Sequence, residues 1–272
     1  MWRAVFLALL IFVTVSASRA QLVDASVYAP PRTNCCLAAS AKTLSDALLD
    51  WNDMSRYHSA DLDLEKLPVD PKRVVFMGDS ITDIWHLADF FPGKPYVNRG
   101  IGGQVTSQML VRFYPDVIDL KPAAVIILAG TNDVAQNNGP ETAEMIEENL
   151  MAMTELAQRH GIKVILCSVT PISDYTTLAP GRGGAPPPGG AAVGSKRIQS
   201  IQRPPADILK LNAWMKSYAT SVGATYADYY SAVVDQNGMF KDEMSNDGLH
   251  PNPQGFALIA PVAEAAIEKT LQ

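Results

Sequence analysis

Arg73-Val-Val-Phe-Met77, followed at once by Gly78-Asp79-Ser80-Ile81-Thr82, is the stretch on which the fold of this 272-residue chain turns. A short apolar run ends at Met77, a glycine permits a sharp bend, and a serine stands where the next helical pattern begins. This reads as a buried strand turning into a helix. A serine there projects from the sheet edge beside the unbonded N–H groups of a helix N-terminus. Four more short apolar runs follow: Tyr96–Val97, Ala123 to Ala129, Lys163 to Val169 and Ala224 to Asp228. Helical patterns separate them, over Thr106 to Leu120, Pro140 to His160, Pro205 to Val222 and Pro253 to Leu271. Strands alternating with helices imply parallel pairing through right-handed crossovers. The runs are almost continuously apolar, as strands covered on both faces must be. The expectation is one three-layer α/β/α sandwich around a parallel five-stranded sheet.

Local signals support the helix ends. Gly161 follows the 140–160 pattern where a C-terminal glycine belongs, and His160 favours the negative end of the helix dipole. Asn252-Pro253 reads as an N-cap followed by a first-turn proline. Upstream, Leu44, Leu48, Trp51, Met54 and Tyr57 recur at helical spacing, predicting one amphipathic helix over Thr43 to Leu64 packed on the main domain. The domain plan is a signal segment at 1–20, an arm and helix at 21–66, and the α/β domain at 67–272. That domain carries a Gly/Pro-rich insertion at about 179–204. Its richest part, Ala179 to Gly194, cannot form a regular element. It falls after the fourth strand, at the sheet edge where open α/β folds bind ligands, and is either a flap over the site or a loop without function.

Composition narrows the function. The chain is 47% hydrophobic and 18% charged, with a net charge of −6. Lacking a basic stripe to neutralise phosphates, it is not expected to bind nucleic acid. Arg3, the apolar stretch Ala4 to Val15, and small residues at Ser18 and Ala20 have the anatomy of a cleaved secretory signal. The stretch falls short of the ~20 residues that span a bilayer, and no second long apolar run follows. A secreted or periplasmic protein without an integral membrane segment is expected. Three cysteines, Cys35, Cys36 and Cys167, supply neither a disulfide framework nor metal-ligand spacing, so no metal and no cofactor are expected.

Ser80 would need a base to act as a nucleophile, and the chain has four histidines: His58, His86, His160 and His250. His58 lies in the N-terminal helical pattern, His86 among apolar residues after Ser80, and His160 at a helix end. His250 lies in the turn-rich Asn246-Asp247-Gly248-Leu249-His250-Pro251-Asn252. There Asp247 is one tight turn away and can hold the imidazole in one tautomer, as a catalytic base requires. An ordinary polar loop would have the same composition. Two further strand ends, Asn98-Arg99-Gly100-Ile101-Gly102-Gly103 and Ala129-Gly130-Thr131-Asn132-Asp133, bring Gly103 and Asn132 to the same rim as Ser80. There they could supply oxyanion donors. Neither the α/β-hydrolase elbow nor a dinucleotide fingerprint is satisfied, because Thr82 and Val105 occupy positions that require glycine.

Taken in order, G-D-S-I-T, N-R-G-I-G-G, G-T-N-D and D-G-L-H-P-N resemble the four blocks of the SGNH hydrolases, also called GDSL esterases/lipases. The likeness is to their platelet-activating-factor-acetylhydrolase-like branch. The resemblance implies a flavodoxin-like sandwich and a serine esterase acting on a small-molecule or carbohydrate ester. It implies Ser80 as nucleophile, His250 as base and Asp247 as its orienting carboxylate. The oxyanion hole would be built by the Ser80 and Gly103 backbone N–H groups and the Asn132 side chain. Short-chain or acetyl esters are the expected substrates. Longer acyl chains, as in a lysophospholipase or thioesterase, and a non-catalytic carbohydrate-binding member are the alternatives.

Overall fold

The computed structural model describes residues 36–177 and 197–272. The expected signal segment, most of the expected N-terminal arm and the Gly/Pro-rich stretch 179–194 lie outside the described residues.

Five strands form one parallel sheet: β1 (Val74–Gly78), β2 (Tyr96–Gly100), β3 (Ala124–Leu128), β4 (Lys163–Cys167) and β5 (Thr225–Ala227), in the order β2-β1-β3-β4-β5. Successive side chains along a strand point to opposite faces, and here both faces are covered. Val75, Met77, Val125, Ile127, Val164 and Leu166 enter one core, while Val74, Phe76, Ala124, Ile126, Leu128, Ile165 and Cys167 enter the other. That is why the strands read as unbroken apolar runs rather than as alternating ones. Cys167 is a free, buried thiol whose pKa burial pushes up to about 12.

The helices are α1 (Cys36–Leu49), α2 (Ser55–Glu65), the single turns α3 (Ser80–Asp83) and α4 (Leu87–Phe90), and α5 (Thr106–Val111). They continue with the turn α6 (Thr131–Val134), α7 (Ala143–Arg159), α8 (Pro205–Ser221), α9 (Tyr229–Val233) and α10 (Pro253–Leu271). Side chains of α5, α7 and α8 fill the first core, and those of α3, α4, α9 and α10 the second. In the second core Trp85 stacks on Phe256 at 5.0 Å between ring centroids and meets Phe76 edge-on at 5.7 Å, tying α10 to β1. The strand order reverses between β1 and β3, which opens a crevice at their carboxyl ends.

Two helical expectations are corrected. The pattern over 106–120 is not one helix: it breaks after α5 into a wide turn, Tyr114–Ile118, closed by Asp119 N–H to the Tyr114 carbonyl at 3.0 Å. Pro115 is the cause, since it has no N–H with which to continue the α-helical ladder. Nor is 43–64 one helix. The Asp50 carboxylate accepts the Met54 and Ser55 N–H groups at 2.7 and 2.9 Å, and Asp53 takes a φ of 53°, so the chain turns and restarts as α2. Contacts divide the chain after Leu49, placing α1 in one part and everything from Asp50 onward in another.

Of the expected apolar stripe little is buried: Leu64 of α2 packs against the first core, and the rest of the helix attaches by polar contacts. Trp51 and Met54 before it are exposed, whereas Asp61 is buried against Arg99, with Oδ1 at 2.9 Å from Nε and 2.5 Å from Nη2. Tyr57 lies under the Arg99 guanidinium and donates its hydroxyl to the Gly100 carbonyl. These contacts hold the end of β2 from behind.

Candidate active site

At the end of β1 the turn closes only around a glycine. A Cβ on Gly78 would lie 2.1 Å from Thr82 Oγ1 and 2.9 Å from the Leu128 carbonyl. Asp79 is extended, and its carboxylate accepts the Ile81 N–H at 2.9 Å, capping α3. Ser80 therefore opens α3, half-buried, with its N–H among the donors a helix start leaves unbonded. Its Oγ lies 2.8 Å from His250 Nε2, across 170 residues of sequence.

His250 is placed by a tight loop before α10. Asp247 Oδ1 accepts the Leu249 and His250 N–H groups at 3.0 and 2.8 Å, and its Oδ2 lies 2.7 Å from His250 Nδ1. An ionised carboxylate can only accept, so Nδ1 carries the proton and bare Nε2 faces the Ser80 hydroxyl. Burial alone would raise the Asp247 pKa. The hydrogen bonds from the His250 ring and backbone and from Leu249 instead hold it well below the usual carboxylate range. Gly248 shapes this loop at φ 79°, and a Cβ there would stand 2.2 Å from the Ser173 carbonyl. The Gln199 side chain donates to the Asp247 carbonyl at 3.0 Å, and Asn252 caps α10 through the Gln254 and Gly255 N–H groups.

The other two strand ends reach the same rim. Gly103 is exposed at φ 82°, and its N–H has no acceptor among the described residues. Asn132 is buried on α6, donates one Nδ2–H to the Gln104 carbonyl at 3.0 Å, and keeps the second free. The two loops are joined by Asp133, whose carboxylate accepts both the N–H (2.8 Å) and the hydroxyl of Thr106 at the start of α5. Thus Ser80, Gly103, Asn132, Asp247 and His250 occupy one edge of the sheet. The remaining histidines, His58, His86 and His160, are exposed, and His160 pairs with the Tyr114 hydroxyl at 3.0 Å. Among the described residues no cluster of three or more His, Cys, Asp or Glu could hold a metal, and no helix is long and apolar enough to cross a membrane.

Sequence reading missed the buried charges behind this edge. Arg112 is fully buried and donates to the carbonyls of Gly78 (3.0 Å) and Arg99 (2.8 Å), to Gln104 Oε1 (2.6 Å), and to Asp116 (2.6 Å). One guanidinium thereby ties together the ends of β1 and β2 and the loop carrying Gly103. The available signal was a charged pair four residues apart on the apolar face of Met109 and Phe113.

Asp79 supplies a prediction of its own. Burial pushes its carboxyl up to about 6, against the opposing Ile81 N–H bond. A raised carboxyl favours the folded state below its ordinary pKa of ~3.9, and that advantage is lost as pH rises through about 6. The shift of roughly two units corresponds to a cost on the order of 3 kcal/mol when the group ionises. Asp79→Asn keeps an acceptor for Ile81. It should therefore be more stable than the parent in urea denaturation at pH 8, with the advantage vanishing at pH 4. An equal effect at both values would refute the ionisation account.

The arrangement has relatives. Over 82% of this chain and 99% of the other, it is 38% identical to a candidate acylhydrolase from Bacteroides fragilis NCTC 9343, with a TM-score of 0.68. A GDSL-like lipase from Bacteroides thetaiotaomicron VPI-5482 is 36% identical over 80% of this chain and 98% of that one, also at 0.68. A curated relative, the uncharacterized lipoprotein YqeF of Bacillus subtilis (strain 168), is 35% identical. The match covers 36% of this chain and about half, 49%, of that protein. Residues 76–258, well over half the chain and spanning all four blocks at the rim, match the GDSL-like lipase/acylhydrolase family. The fold, the switch-point serine and this match converge: the chain is a member of the GDSL-like lipase/acylhydrolase family.

Proposed function

We propose that this protein is an exported serine esterase cleaving short-chain, above all acetyl, carboxylic esters of small molecules or carbohydrates. The observation that carries the proposal is the unbroken relay Ser80 Oγ, His250 Nε2, His250 Nδ1, Asp247 Oδ2, at 2.8 and 2.7 Å. Ser80 Oγ attacks the ester carbonyl while His250 Nε2 takes its proton. Asp247 stabilises the resulting imidazolium. The carbonyl oxygen, now anionic, receives the N–H groups of Ser80 and Gly103 and the free Nδ2–H of Asn132. Collapse breaks the ester C–O bond, and His250 returns the proton to the leaving alcohol. Water, deprotonated by the same imidazole, then releases the acid from Ser80.

Short acyl groups are favoured by what flanks the nucleophile. The substituent position on Gly102 lies 3.8 Å from Ser80 Cβ and 3.7 Å from the Asp83 carboxylate, so this side is glycine and charge rather than an apolar channel. Export rests on the charged, apolar and small-residue order of residues 1–20, and the lipoprotein name of the Bacillus relative points to the same envelope setting.

A fluorophosphonate probe tests the reading. It should label the native protein stoichiometrically at Ser80 by peptide mass spectrometry, and should fail on heat-unfolded protein. Absence of labelling would favour a binding module that keeps the fold without the chemistry. With p-nitrophenyl esters from acetate to laurate, kcat/KM should peak at the short end. A maximum at eight carbons or beyond would replace the short-chain assignment with a lipase-like one.

A further inference from the structure

Arg203 is 5% exposed, yet no carboxylate among the described residues lies within ion-pairing distance of it, and its Nε has no hydrogen-bond partner. Such a cation is costly to bury, because the interior does not return the hydration it loses. Its bonds are to neutral groups: Nη1 to Gln199 Oε1 at 3.3 Å and Nη2 to Asn132 Oδ1 at 3.4 Å. Asn137 Nδ2 reaches the same Oδ1 at 2.9 Å. With two donors on its oxygen, the Asn132 carboxamide can have only one orientation, with Nδ2 towards the Gln104 carbonyl and the rim.

We propose that Arg203 is a positioning residue for acyl transfer: its guanidinium, bound to Asn132 Oδ1, orients and polarises the carboxamide whose free N–H faces the developing oxyanion. The inference rests on the esterase reading above and deepens it. A charge-assisted bond to an amide oxygen draws electron density from the nitrogen and strengthens its N–H as a donor. The effect grows when charge appears on the substrate oxygen, so it belongs to the transition state more than to substrate binding. The charged groups around Arg203 are Asp79 beside the nucleophile, Asp247 of the relay, and Arg197, whose Nη1 is 4.0 Å from Asp247 Oδ2. Gln199 serves both ends, holding Arg203 through Oε1 and the Asp247 carbonyl through Nε2. The segment 197–203 thus braces the oxyanion donor against the acid–base loop.

A double-mutant cycle tests this. Arg203→Met should lower kcat roughly 10- to 100-fold, the range for losing a charged hydrogen bond, with KM changed less than about twofold. In an Asn132→Ala background the same substitution should cost less than about twofold, because the group it acts through is gone. Arg203→Lys, which keeps the charge, should recover part of the loss and provides the comparison if the methionine variant fails to fold. The proposal is overturned if Arg203→Met is as active as the parent, or if Arg203→Lys is no more active than Arg203→Met. Equal losses in both backgrounds, or a loss confined to KM, would also overturn it. Failure here alongside abolished turnover in Ser80→Ala would leave the esterase assignment standing, whereas an active Ser80→Ala protein would remove both.

Discussion

Ser80→Ala is expected to lower kcat for ester hydrolysis by at least about 10,000-fold while leaving the folded protein as stable as the parent. The expectation follows from what the hydroxyl does and does not touch. Among the described residues its Oγ makes one hydrogen bond, 2.8 Å to His250 Nε2, and the capping of α3 is done by Asp79 rather than by Ser80. Removing the oxygen therefore deletes the proposed nucleophile but no bond on which the β1 turn depends. The backbone N–H of residue 80 survives, so any residual rate is expected to come from the proposed oxyanion donors and His250 acting on water. Initial rates with p-nitrophenyl acetate, paired with thermal melting curves, check both halves. Activity within tenfold of the parent would rule out a covalent route through Ser80.

The next largest effect is expected at Asn132. Asn132→Ala should cost about 100- to 1,000-fold in kcat, the usual consequence of losing one oxyanion donor, with KM nearly unchanged because the ground-state carbonyl gains little from the bond. Unlike Ser80, Asn132 also has a structural part. Its truncation strands the Gln104 carbonyl, which accepts Nδ2–H at 3.0 Å, and releases Asn137 and Arg203 from Oδ1. Each buried group left unpaired costs about 1–3 kcal/mol, so the melting temperature should fall as well. Measuring kcat well below the variant's transition separates the two effects. A drop in stability with unaltered kcat would assign Asn132 to structure alone.

Several elements are legible in the sequence itself. Four of the five strands lie within one residue of their apolar runs, because a doubly covered strand cannot hide its composition, whereas β2 continues past its two apolar residues through Asn98-Arg99-Gly100. α10 starts at Pro253, where a first-turn proline was expected, α8 starts at Pro205 with its helical pattern, and Gly161 takes the left-handed φ of 74° that a C-terminal glycine permits. The expected convergence of Ser80, His250 and Asp247 is also present as hydrogen-bonding geometry, for a topological reason. Parallel strands deliver every β-to-α turn to one edge, and the loop before α10 returns to it. The misreadings have a common origin. Helical spacing over 43–64 and 106–120 was correct locally but could not register a carboxylate turning back on the chain at Asp50, or the missing N–H of Pro115.

By itself the sequence determined where the five strands and the long helices α7, α8 and α10 lie, and which chemical groups stand at the strand ends. Such properties depend on side-chain periodicity and on neighbours a few residues away. Only the tertiary structure decided which buried charge meets which partner: Arg99 with Asp61 across 38 residues, Arg112 with the Gly78 carbonyl across 34, Arg203 with Asn132 across 71. Apolar burial is nearly indifferent to partner and can be read from composition. A hydrogen bond to a guanidinium requires a defined distance and direction, which exist only once remote segments have packed.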